Sequence, residues 1–500
     1  MCTRGPQATR IVLGAVSLAL LLAGCGGGGG DSTGVAPPPP LPAAVTFSNV
    51  SVHDPAVIKV ADTWYVFGSH LAAARSTDLM HWTAIADGVN AGNPLFNNVL
   101  TQLADAFTWS TVQDLWAPDV VKLGDGRYRM YYDSCQGSSP LSALGVAVAD
   151  TVTGPYVNQQ ILLRSGMNGT SEDGTPYDAW VHPNVVDPNA FLDATGSLWM
   201  VYGSYSGGIF IMAMDAAAGL PLPGQGYGKH LMGGNHARIE GAYVFYAPET
   251  GYYYLYTSFG GLASDGGYNI RVARASAPDG PYYDAAGTDM ATVMGDPGRQ
   301  VLFDDPLYAP HGQKLLGNYQ YALAAGESGA AVGYVSPGHN SVIREAATGQ
   351  TFIVFHTRFP GQGEVHELRV HELFYNEDGW PVMAPLRYAP LSLSPTPLAA
   401  GVAGSDVPGS YKYIDHGKAI SASIVASQSI TLDAAGNVSG AVTGTWAYHG
   451  NNHVGIVLAG GASYNGVLSR QWNPNSGNFE VTFSAQSQAG VSLWGVRSGN

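Results

Sequence analysis

Apolar and polar positions alternate along this chain in short runs, and one run recurs. Trp64-Tyr-Val-Phe-Gly-Ser, Tyr128-Arg-Met-Tyr-Tyr-Asp-Ser, Trp199-Met-Val-Tyr-Gly-Ser, Tyr253-Tyr-Leu-Tyr-Thr-Ser and Phe352-Ile-Val-Phe-His-Thr each open on an aromatic residue and close on a small polar one. Turn residues precede them: Ala61-Asp-Thr, Gly124-Asp-Gly, Asp193-Ala-Thr-Gly, Glu249-Thr-Gly and Ala346-Ala-Thr-Gly. Before each turn lies another short apolar segment, at 56–60, 120–123, 189–192, 242–246 and 341–344. Two such runs joined by a turn predict a β-hairpin. Third strands are predicted at Val146-Ala-Val-Ala, Ile209-Phe-Ile-Met and Ile270-Arg-Val-Ala-Arg, and Gly154-Pro-Tyr and Gly280-Pro-Tyr sit at matching places before a fourth. The aromatic openings are 54 to 99 residues apart, as loops of unequal length require. Five units of three or four strands stacked about an axis make a five-bladed β-propeller. A β-sandwich with long loops is the competing reading, and it gives no reason for five copies of one hairpin.

After Asp378-Gly-Trp-Pro-Val the repeat stops. Residues 385–397 hold four prolines and read as a linker. Beyond them, Ser421-Ala-Ser-Ile-Val, Gly455-Ile-Val-Leu, Phe479-Glu-Val-Thr-Phe and Val491-Ser-Leu-Trp-Gly-Val read as strands. The expected organisation is all-β: a propeller over 45–385 and a small β-barrel or sandwich over 398–500.

The first residues follow another pattern. Arg4 and Arg10 precede an apolar run of 13 residues, Ile11 to Ala23, too short to span a bilayer comfortably. The run ends in Leu22-Ala-Gly-Cys25, which resembles a bacterial lipobox. That resemblance implies a signal peptide over 1–25, lipid on Cys25, and a lipoprotein held at the outer membrane or cell surface. Residues 26–44, rich in Gly and Pro, read as a tether. Cys2 would leave with the signal, so Cys135 stands alone and no intramolecular disulfide is expected.

Composition narrows the partners. Only 12% of residues are charged and the formal net charge is −15. Such a chain will not track phosphate backbones, so nucleic acid is excluded, whereas an uncharged polysaccharide meets no electrostatic conflict. A monomer is expected.

Candidate chemistry sits at one place in the repeat. Asp54, Asp119, Asp187, Glu240 and His339 each lie nine to thirteen residues before their aromatic strand. The first strand of a propeller blade lines the axis, so equivalent positions at its start form a ring on one face. A single Asp-Pro can simply start a strand through an Asx-type turn. Acids in the same slot of four repeats point instead to chemistry. Carboxylates brought together split into one ionised and one protonated group, the pair that glycoside hydrolysis requires.

The motifs Val52-His-Asp-Pro-Ala, Leu115-Trp-Ala-Pro-Asp-Val, Val186-Asp-Pro-Asn-Ala-Phe, Arg238-Ile-Glu-Gly-Ala-Tyr and Gly338-His-Asn-Ser-Val resemble glycoside hydrolase family 43, in its endo-1,5-α-L-arabinanase branch. The resemblance covers roughly 45–385. It implies an inverting hydrolase of arabinan, with Asp54 as general base, Glu240 as general acid and Asp187 orienting Glu240 and keeping its pKa high. It leaves Asp119 structural or lining a subsite. It places Asn184, Ser204, Tyr205 and Ser206 against the sugar, and Trp116 either under a furanose ring or in the packing between blades. It implies calcium in the central channel at His339, with waters completing the shell. His53 and His356 are weaker metal candidates in the same channel. An exo-acting arabinofuranosidase or β-xylosidase on the same scaffold, and a surface lipoprotein that only binds glycan, are the alternatives. The intact acids argue against the last. The insertion over 288–337 could shape the cleft.

Overall fold

The computed structural model describes residues 45–498. The apolar run, Cys25 and the Gly/Pro stretch lie outside the described residues. Five antiparallel sheets follow one another in chain order. Their innermost strands are Ala56–Val60, Trp116–Lys122, Asn189–Leu192, Ile239–Ala247 and Gly333–Arg344. Each pairs with the aromatic second strand through the expected turn, as in Lys59 opposite Trp64, Tyr246 opposite Tyr253 and Ile343 opposite Phe352. The chain is the five-bladed propeller its repeat predicts.

Period-two alternation explains the stacking, because successive side chains of a strand point to opposite faces. Tyr254 and Tyr256 pack with Ile353 and Phe355 of the fifth blade, while Tyr253 and Leu255 pack with Val201 and Ile211 of the third. Each blade therefore feeds two apolar clusters, one per neighbour. The ring closes where Trp64 and Val66 of the first blade meet Phe352 and Val354 of the fifth.

Ring closure is repeated in hydrogen bonds near the axis. A left-handed residue stands just before or within each innermost strand: Asp54 (φ 52°), Ala117 (33°), Asp187 (58°), Gly241 (61°) and His339 (47°). In all five the backbone N–H donates to a side chain of the preceding blade. Asp54 donates to His356 Nδ1 (3.2 Å), Ala117 to Ser69 Oγ (3.0 Å), Asp187 to Asp133 Oδ2 (3.1 Å), Gly241 to Asp187 Oδ2 (3.1 Å) and His339 to Ser258 Oγ (2.7 Å). The strained conformation turns these residues toward the axis, and the hydrogen bonds hold it.

The C-terminal region is a closed eight-stranded barrel whose first strand, Gly409–Asp415, pairs with its last, Ser492–Arg497. Two details differ from the sequence reading. The stretch expected as a linker is packed: Leu386 and Ala389 are buried, and Tyr388 lies 4.7 Å from the Phe352 ring. Of the strand expected at 421–425, only Val425–Ala426 is extended in a sheet, and it leaves the barrel to pair in parallel with Tyr319–Gln320 beside the fifth blade. Asn318 of the propeller captures the carbonyls of Ser421 and Ala422, which draws that segment away. The insertion over 288–337 supplies the outer strand of the fourth blade, Gln313–Leu316, and a loop that reaches the cleft.

Candidate active site

The ring surrounds the floor of a cleft of about 580 Å³ that Asp54, Asp187, Glu240 and His339 line together. Asp54 is buried, and its carboxyl has three bonding partners, with His356 close by. His53 Nδ1 lies 2.7 Å from Oδ2, which also accepts from Ser69; His339 Nδ1 lies 3.0 Å from Oδ1 and His356 Nδ1 3.4 Å from it. Burial alone would raise this acid. The imidazoles of His339 and His53 outweigh burial and hold it well below the usual carboxylate range. Asp54 is therefore a carboxylate at neutral pH, oriented and able to accept a proton from water.

Glu240 has the opposite setting. It immediately precedes the left-handed Gly241, and its carboxyl accepts from Ser204 (2.8 Å) and Tyr268 (2.9 Å). Burial raises its pKa, and these bonds offset only part of that rise. Asp187 lies between them in chain order and in the ring; burial, joined by the charges of Glu240 and Asp54, pushes it up to about 7 against the pull of His339. One acid held ionised and another held toward its protonated form, around one cleft, is the division of labour for proton transfer on both sides of a bond.

His339 is raised to about 10, because the carboxylates of Asp54 and Asp187 overcome its burial. His356 goes the other way: burial and the neighbouring His53, whose ring stacks on it at 3.7 Å, push it well down. A neutral His356 suits its role as acceptor for the Asp54 N–H.

The ring differs from expectation at one position. Asp119 is not in it; Ala117 holds the equivalent place. Asp119 sits two residues further on, where it accepts from the Ala190 N–H (2.7 Å) and the Asn189 amide (3.2 Å) of the next blade. Asn189 does the same for Val244 (3.0 Å), and Ser341 for Val57 (3.1 Å). These bonds form a second stitch between blades, so Asp119 is structural.

Asp133 was not foreseen. It comes from a second strand, is fully buried, and accepts from the Asp187 N–H while its Oδ1 has no hydrogen-bond partner. Burial first and Asp187 second raise its pKa far above normal, so it is a neutral acid beneath the ring. The signal was present in sequence. The next-to-last residues of the five second strands are Gly68, Asp133, Gly203, Thr257 and His356, and the acid and the imidazole stand out.

The remaining expected residues line the cleft as well: Asn184, Ser204, Tyr205, Ser206 and Trp116. Asn184 is held by Ser142 Oγ (2.5 Å), and Trp116 donates to the Cys135 carbonyl (3.3 Å) with a face toward the cleft.

For a metal, His53, Asp54 and His356 place ligand atoms within 4.8 Å of one another. Two imidazoles and one carboxylate suit a transition metal; calcium takes six to eight oxygens. His339 has committed Nδ1 to Asp54, and its Nε2 could ligate an ion only after giving up the proton that its raised pKa retains. The residues therefore fit calcium poorly, and only as an ion carried mainly by water on that one nitrogen once it is deprotonated.

Comparison with known proteins agrees with this geometry. Residues 46–305 match the glycosyl hydrolases of family 43, and residues 385–495 match a C-terminal lipocalin-like domain that bears the family's name. The chain is 54% identical over 451 residues to an extracellular endo-α-(1→5)-L-arabinanase 2 of Bacillus subtilis, covering 90% of this chain and 94% of that protein. It is similar to the crystal structure of a family 43 glycoside hydrolase from Bacillus licheniformis (TM-score 0.86, 55% identity, 92% of this chain and 100% of that one). It is also similar to that of an endo-1,5-α-L-arabinanase from Thermotoga petrophila (TM-score 0.85, 45% identity, 91% and 100%).

Proposed function

The chain belongs to glycosyl hydrolase family 43, and from that premise we infer that it is a secreted enzyme that cuts α-1,5-linked L-arabinan at internal bonds with inversion. The observation that carries the mechanism is the opposite setting of two acids on one ring: Asp54 kept ionised by His339 and His53, Glu240 kept toward its protonated form by burial. Asp54 takes a proton from the attacking water. Glu240 gives its proton to the departing glycosidic oxygen. Asp187, bonded to the Gly241 N–H, fixes the backbone beside Glu240, while burial and the charge of Asp54 discourage the ionisation of Glu240. Asn184, Ser204, Tyr205, Ser206 and Trp116 hold the sugar. The names of the similar enzymes support arabinan over the exo-acting reading. Incubation with linear 1,5-arabinan tests it: mixed oligomers at early times support internal cutting, and a single short product from the start contradicts it.

Calcium at His339 Nε2 belongs to the same reading. An ion there would supply positive charge that keeps nearby acids ionised. Chelation should lower activity partly and reversibly and lower Tm modestly, and His339→Ala should mimic it. A chelator that changes neither, with His339→Ala inactive, rules the ion out. The lipobox reading adds a lipid on Cys25 and display at the cell surface, by the chain as a monomer; mass spectrometry of the N-terminal peptide from membranes tests the lipid.

A further inference from the structure

The insertion between the third and fourth strands of blade four ends in a group of large apolar side chains that are left in the open. Leu302 is 54% and Phe303 46% exposed, and both line the cleft, as does Leu262 at 38%. The loop that carries them is built firmly. The Asp296 carboxylate accepts from the N–H groups of Gly298 (2.8 Å), Gln300 (2.9 Å) and Val301 (3.0 Å), and Arg299 pairs with Asp178 (2.7 Å). On the far side Asp305 holds Arg238 and Tyr308. Phe303 itself is left-handed (φ 60°), a conformation that costs a bulky residue energy and persists only where its surroundings enforce it. Its ring packs against Tyr205 at 5.6 Å.

The position relative to the two acids gives this wall a side. The Tyr205 N–H bonds the carbonyl of Ile239, next to Glu240, and its neighbour Ser204 donates to Glu240 itself. Trp116 stands on the other wall, where Ala117 and Asp54 share Ser69. A general acid protonates the oxygen of the departing sugar, so the wall beside Glu240 faces the leaving group.

We propose that Leu302 and Phe303 form a platform for the sugars on the leaving-group side of the cut bond. An uncharged furanose ring offers C–H faces that bury well on exposed aromatic and aliphatic surface. The platform determines how many residues the enzyme grips beyond the bond it breaks. This rests on the arabinanase reading and deepens it.

The test is the cleavage pattern of arabinohexaose labelled at its reducing end with 2-aminobenzamide. With the platform removed by Phe303→Ala, sugars on the leaving side lose their hold, and cleavage should move toward the labelled end, giving shorter labelled fragments. The kcat/KM should fall about tenfold, the ratio that one lost ring contact of this kind gives. Phe303→Tyr should restore pattern and rate. Phe303 is exposed, so Tm should hold. An unchanged pattern overturns the proposal whether or not rate or Tm falls, and so does a shift toward the unlabelled end. Failure of the wild type to cut the hexaose sinks the arabinanase reading itself and is distinct from both.

Discussion

The propeller and the barrel are two ways of closing β-structure, and they leave different interiors. Eight strands enclose a space that side chains just fill, and here Tyr411, Ile430, Leu432, Phe483 and Leu493 fill it, all 2% exposed or less. The propeller puts its apolar side chains between blades and leaves its axis to strand ends. There Asp54, Asp133, Asp187 and His356 are buried at 7% exposure or less, with pKa values displaced in both directions. Stability in the barrel comes from filling a core; chemistry in the propeller comes from five strand starts meeting where no core exists. The five left-handed residues join the two needs, because one set of hydrogen bonds both closes the ring and aims its acids.

That contrast predicts different consequences for substitutions in the two interiors. Glu240→Gln and Asp54→Asn should each lower kcat by about 10²–10⁴-fold, as loss of a general acid or base does, and Glu240→Gln should do so with little change in Tm; steady-state rates on arabinan check this, and near-normal turnover in either breaks the assignment. Leu432→Ala, at 0% exposure in the barrel, should cost about 2–5 kcal/mol of stability and leave kcat unchanged at temperatures where the protein is folded. A fall in kcat there would show that the interiors are not separable. The smallest effect concerns Asp187. Its pKa near 7 in the fold exceeds its unfolded value, so the fold binds the extra proton. Its favourable contribution is complete at low pH and is lost as pH rises through about 7. Asp187→Asn removes that titration, so the Tm of the variant relative to wild type should rise between pH 5 and pH 8. A constant difference contradicts the shift.

Much of this was legible in the sequence, for physical reasons that also mark where reading failed. The second strands announce themselves because both faces are buried between blades, which demands aromatic openings and apolar cores in every copy. Asp54, Asp187, Glu240 and His339 were found by their place before those strands. Asp119 was misplaced because distance to the next strand was the ruler; aligning Asp54-Pro55, Ala117-Pro118 and Asp187-Pro188 on their prolines puts Ala117 in the ring. Asp133 was hidden inside a strand read only for its apolar pattern. The loop carrying Phe303 was unreadable because it has no counterpart in the other blades. In the barrel, Gly444–Gly450 exposes every second residue, so its pattern is too weakly apolar to be picked out.

The account stands on Asp54 acting as a base toward water and not as a nucleophile toward the sugar. Proton NMR of the first-formed product during arabinan hydrolysis decides this directly. The account predicts that the new reducing end appears first in the β configuration, inverted from the α linkage, and equilibrates afterwards. An α anomer formed first would mean a covalent intermediate and would contradict it.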